Sequence, residues 1–127
     1  MQYDEIIKTV IDHGGSTERE TAEKITRVVL ADLGKQLTAD EAKDLAGPLP
    51  QELESVVTER SPDDDQVNDD VDDFLRRVAK HLGDQVDPEQ ARSHVRAVFA
   101  TLNKAVTEGE VADLRSQLPA GFGPLFE

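Results

Sequence analysis

The stretch LTADEAKDLAGPLP, Leu37 to Pro50, returns in altered form as VTEGEVADLRSQLP, Val106 to Pro119. Each copy places a glutamate three residues after a threonine, Thr38 with Glu41 and Thr107 with Glu110. The hydroxyl can accept from a free backbone N–H while the carboxylate bonds back to the threonine amide, so the pair starts a helix. Ala42, Leu45 and Leu49 then share one helical face, as do Val111, Leu114 and Leu118. The closing proline cannot continue a helix from inside but suits the start of the next one. The block therefore reads as a short helix and a corner, made twice.

The repeat extends beyond the block. Working back from it, Glu20, Ala22, Arg27, Val29, Ala31, Leu33 and Lys35 meet Glu89, Ala91, Arg96, Val98, Ala100, Leu102 and Lys104. Asp44 and Asp113 also correspond within it. After a one-residue adjustment, Asp4, Val10, His13 and Gly15 meet Asp72, Val78, His81 and Gly83. Caps and loops recur along with apolar positions, which marks a tandem duplication.

Each unit reads as four helices. The first buries Ile6, Ile7, Val10 and Ile11, or Phe74, Leu75, Val78 and Leu82, and is followed by glycine suited to a left-handed cap. The second is the longest, opening at Thr17 with Glu20 or at Asp87 with Pro88 and Gln90. Its apolar face is wide, as expected of a helix at the centre of a fold. The third is the quoted block, and the fourth buries Leu53, Val56 and Val57, matched by Phe122, Leu125 and Phe126. AGFGPLFE, with two glycines and a proline, reads as a single turn or a docked tail. One such unit holds a marginal core, and two facing each other share a larger one. The expected fold is all-α, a helical bundle of two tandem four-helix repeats with approximate internal two-fold symmetry. It forms a single domain over residues 1–127, with repeat one at 1–58, an acidic linker at 59–70 and repeat two at 71–127.

Composition sets limits on function. Cysteine is absent, which removes disulfides, thiolate nucleophiles and cysteine-ligated metals. The formal charge is −13, from 27 acidic residues against 14 lysines and arginines. Such a field repels phosphate backbones and anionic lipid, so neither nucleic acid nor membrane is an expected partner. Dense carboxylates with few lysines fit a very salty cytoplasm, where short Debye lengths remove the self-repulsion. MQYDEIIKTV lacks a basic leader ahead of an apolar run, and Val28 to Ala31 is far short of the roughly 20 residues that span a bilayer. The expected location is cytoplasmic.

The opening YDEIIKTV, the long TAEKITRVVLADLGKQLT and the block DEAKDLAGPLPQEL, repeated and closing on LP and LFE, resemble the domain of unknown function family numbered 2267. The resemblance spans nearly the whole chain and implies a small all-helical prokaryotic protein with no assigned activity and no catalytic residues to carry over. The acidic load resembles a halophilic archaeal member of that family.

No motif supplies a catalytic centre, a cofactor site or a metal site. The aspartate run Asp63 to Asp73 fails as a calcium loop: with Asp63 first, Val67 takes the fifth position, Asn68 the turn glycine and Phe74 the closing glutamate. His13 and His81 end equivalent helices, where the dipole favours them without any function. Arg76, Arg77 and Lys80 form a local basic patch, although Asp72 and Asp73 stand close enough for pairs within the helix. Together with Phe122 and Phe126 in the last turn, these three residues make the candidate interaction surface. The expected function is a non-enzymatic module acting through self-association or an unknown protein partner. The alternative is a small-ligand or cation-binding protein using the cleft between the repeats, with His13 and His81 the first residues to inspect there.

Overall fold

The structure is a computed structural model that describes residues 2–14, 18–59, 70–83 and 86–126. Among these residues the chain is all helical. The elements are α1 (Tyr3–Asp12), α2 (Arg19–Lys35), α3 (Ala39–Ala46), α4 (Gln51–Thr58), α5 (Val71–Leu82), α6 (Pro88–Ala105), α7 (Glu108–Gln117) and a terminal 3-10 helix (Ala120–Phe126).

The helix starts follow their caps. Thr38 accepts from the Glu41 amide at 3.2 Å while Glu41 accepts from the Thr38 amide at 2.9 Å, closing the reciprocal box that starts α3. Asp87 and Gln90 form the same box on α6, with Pro88 at the first helical position. Thr107 caps α7 by accepting from the Glu110 amide at 3.3 Å, without the return bond. Asp70 accepts from the Asp73 amide at 2.9 Å and so starts α5. The expected box at Thr17 lies outside the described residues, and the N-cap of α2 is Glu18, whose side chain makes no capping bond. Gly14 and Gly83, just past α1 and α5, have φ of 88° and 131°, which side chains other than glycine rarely adopt.

Long helices α2 and α6 carry the centre. Val29, Leu30 and Leu33 on α2 and Val95, Val98 and Phe99 on α6 are buried in one continuous apolar cluster. α1 packs against both α2 and α6, and α5 against both α6 and α2. α4 closes over α2 and α3, the terminal 3-10 helix closes over α6, and α3 meets α7. Each first helix thus wedges against both long helices.

The two closing segments differ because their sequences do. QELESVVT forms an α-helix after Pro50, burying Leu53 and Val57. AGFGPLF tightens into a 3-10 helix, because Gly121 and Gly123 lower helix propensity and Pro124 lacks an amide donor. Its aromatic rings still dock. Phe126 stacks on Phe99 with centroids 4.4 Å apart, and Phe122 meets Phe74 at 5.0 Å. Offset or tilted ring pairs of this kind add to the gain from burial itself.

Candidate functional site

The quoted block positions two short helices side by side. In α3, Glu41 and Asp44 lie three residues apart and so share a face, as do Glu110 and Asp113 in α7. These four carboxylates line one cleft of about 470 Å3, with Leu37, Leu45 and Leu114 as its apolar lining. No lysine or arginine lines it among the described residues. Glu41 spends one carboxylate oxygen on its cap. Glu41 Oε2 and Glu110 Oε2 are turned away from solvent without a hydrogen bond. The result is a negative, leucine-floored groove suited to a cationic group carried on an apolar body. No group of three or more His, Asp or Glu side chains among the described residues has the arrangement of a metal site.

The surface expected around Arg76, Arg77, Lys80, Phe122 and Phe126 does not assemble. Phe122 and Phe126 are 1% and 5% exposed, because the rings fill the space beside Phe74 and Phe99 rather than facing solvent. Arg76 lies outside and pairs with Asp73 at 3.2 Å, the pairing expected within the helix. Lys80 is exposed. Arg77 turns inward and reaches a residue of another helix.

That residue is Asp32 of α2, which is 1% exposed. Its Oδ2 lies 3.0 Å from His81 Nδ1, and its Oδ1 lies 3.4 Å from Arg77 Nε and 3.9 Å from Lys35 Nζ. Arg77 also donates to the Asp32 carbonyl at 3.4 Å. A buried carboxylate is costly unless cations or hydrogen-bonding groups surround it, and here Arg77, Lys35 and the His81 ring do so. Sequence reasoning missed this knot. The available signal was an acid on the wide apolar face of α2, between Val29 and Leu33, where the other half carries Thr101.

His13 and His81 do not face each other. His81 belongs to the Asp32 knot and lines a cleft with Arg27 of α2, whereas His13 lines a separate cleft with Ser93 and Arg96 of α6. Both imidazoles are exposed at helix ends, so the symmetric pair considered from the sequence is replaced by two arginine–histidine clefts. Arg27 reaches across to α1, with its Nη2 3.3 Å from the Tyr3 hydroxyl and its guanidinium 6.0 Å from the ring centroid. In the acidic linker, residues 60–69, including Asp63, Asp64, Asp65 and Asp69, lie outside the described residues, while Asp70 serves as a cap and Asp73 as an ion-pair partner.

No helix among the described residues is long and apolar enough to cross a membrane. None of the curated proteins compared with the chain matches it. A family model does match, over residues 3–125, and its description is "Uncharacterized conserved protein". With nearly its whole length matched, and with an all-helical fold, this chain belongs to the uncharacterized conserved family DUF2267.

Proposed function

We propose that this chain is a non-enzymatic interaction module built from two copies of one helical unit, and that the α3–α7 cleft docks a basic, leucine-bearing amphipathic segment of a partner protein. The observation that carries this is the convergence of Glu41, Asp44, Glu110 and Asp113 on one apolar-floored cleft. Asp44 and Asp113 are exposed residues that neither cap a helix nor fill the core. Their recurrence at one groove gives both a shared use: charge complementarity steers a cationic segment while the leucines accept its apolar face. The duplication is supported by reciprocal packing, in which α1 lies on α6 and α5 lies on α2. It also explains why matched carboxylates meet where α3 touches α7. Self-association is the weaker version of this reading, since Phe122 and Phe126 are spent on the core and Arg76 on Asp73.

Fluorescence anisotropy with a labelled Lys/Leu amphipathic peptide tests the reading against a Glu/Leu peptide of the same length. The basic peptide is expected to bind, and the double variant Asp44→Asn with Asp113→Asn should weaken it about tenfold or more. Equal binding of the acidic peptide, or no change in the double variant, removes the proposal. A cation-binding role is the second reading, favoured by the buried, unbonded Oε2 atoms of Glu41 and Glu110. Saturable perturbation of cleft amides by magnesium or calcium alone would support that reading instead.

The protein is further read as adapted to a salty cytoplasm, from its charge of −13. Running the same samples by circular dichroism in dilute buffer and in molar KCl tests this point. Full helicity without salt counts against it.

A further inference from the structure

His13 and His81 end corresponding helices and both imidazoles are exposed, yet a buried acid holds only one of them. His81 Nδ1 lies 3.0 Å from Oδ2 of Asp32, whose side chain is 1% exposed. At the position matching Asp32 on α6 stands Thr101, whose hydroxyl donates to the Ala97 carbonyl at 2.8 Å. Among the described residues the His13 cleft is lined by Ser93, Arg96, Ala97 and Ala100, with no carboxylate. The helical unit can therefore pack with a small hydroxyl residue at this position. An acid buried in its place carries a cost that packing alone does not demand.

The geometry fixes what that acid does. An ionised carboxylate only accepts hydrogen bonds, and Arg77 Nε stands 3.4 Å from Asp32 Oδ1 as its counter-charge. The bond to His81 therefore needs the proton on Nδ1, which leaves the lone pair of the neutral ring on Nε2. Nε2 has no bonding partner among the described residues, and the side chain keeps 42% of its exposure. A carboxylate behind one ring nitrogen holds the tautomer and the orientation, so the other is presented ready to give its electron pair. His81 borders a cleft of about 340 Å3, where Arg27 and Lys35 bring two cations against Asp32 and Glu59, and where Val28, Ala31 and Val56 form an apolar wall.

We propose that His81 is a phosphoryl-acceptor site, modified at Nε2 by a small acyl phosphate. The Nε2 lone pair forms the N–P bond while the P–O bond to the acyl group breaks, and the carboxylate leaves with that electron pair. The ring becomes cationic with its Nδ1 proton still bonded to Asp32, whose charge stabilises it. Arg27 and Lys35 are the cations that meet the phosphoryl oxygens. A guanidinium has more N–H donors than the one bond from Arg27 to the Tyr3 hydroxyl uses. Asp32 acts through the imidazole and is a positioning residue. The site shares no residue with the α3–α7 groove, so the outcome of the peptide experiment does not bear on it.

The test treats the intact protein in potassium chloride with acetyl phosphate and follows it by phosphorus-31 NMR, with peptide mapping to place the label. His81 is expected to take up phosphoryl at Nε2 about tenfold faster than His13, an exposed imidazole of the same molecule whose cleft has no carboxylate. Asp32→Asn should bring His81 down to the rate of His13, read on protein whose helicity by circular dichroism matches the wild type. Should that variant fail to fold, the comparison of His81 with His13 in the wild type decides by itself. Equal rates at the two histidines, attachment at Nδ1, or an undiminished rate in a folded Asp32→Asn protein overturns the proposal.

Discussion

The seam between α2 and α4 and the seam between α6 and the terminal 3-10 helix are made from corresponding stretches of sequence, yet they close differently. In the first, the Val57 backbone sits so close to α2 that a Cβ built on Gly34 would fall onto the Val57 carbonyl oxygen. In the second, the residue matching Gly34 is Asn103 and the residue matching Val57 is Phe126. There the backbone stands off, and Asn103 Nδ2 donates to the Phe126 carbonyl at 2.8 Å. At the position of the glycine a side-chain amide joins the closing segment to the long helix. A small residue permits contact and a large one requires a bridge, so two related seams reach the same closure by opposite means.

That contrast can be broken most severely at Gly34. Gly34→Ala should gain up to about 1 kcal/mol of helix propensity, but the clash with backbone should reverse this to a net loss of roughly 3 kcal/mol. Urea unfolding followed by circular dichroism gives the sign directly. A stabilised Gly34→Ala protein would show that α4 does not approach α2 as described.

Next in size is Asp32, which ties α2 to α5 where Thr101 ties α6 only to itself. Asp32→Ala leaves Arg77 and His81 without their shared carboxylate and should cost roughly 2 kcal/mol, less than a fully enclosed pair because His81 keeps 42% of its side-chain exposure. Equal unfolding midpoints for Asp32→Ala and the wild type would remove the knot from the account of stability. The smallest effect is expected at the bridge itself. Asn103→Ala should lose about 1 kcal/mol, the worth of one hydrogen bond, measured in the same urea series. A loss as large as that at Gly34 would mean that the terminal segment depends on this bond rather than on its aromatic rings.

Much of this was legible in the sequence. The Thr38–Glu41 and Asp87–Gln90 boxes, the Leu-Pro corners and the inward positions Ile6, Val10, Leu53, Phe74 and Val98 follow from local spacing, which a helix imposes whatever surrounds it. Phe122 and Phe126 show where local reading divides. Aligned with Leu53 and Val57 they belong to the core, whereas in a single turn or docked tail beside two glycines they read as part of an interaction surface. Burial decided for the core, since each ring removes a large apolar area from water. The acidic cleft was half visible. Asp44 and Asp113 correspond in the repeat, but nothing in the chain says that they face one groove.

By itself the sequence determined that this protein is helical, where most of its helices start and stop, and which faces turn inward, because those properties depend on neighbours within a few residues. Tertiary structure alone decided which charges meet. Asp32 finds Arg77 and His81, and Glu41 and Asp44 find Glu110 and Asp113, all through helices packed from distant parts of the chain. A carboxylate reads the same in sequence whether it faces water, a cation or another carboxylate, and only the packing of one helix on another sets that difference.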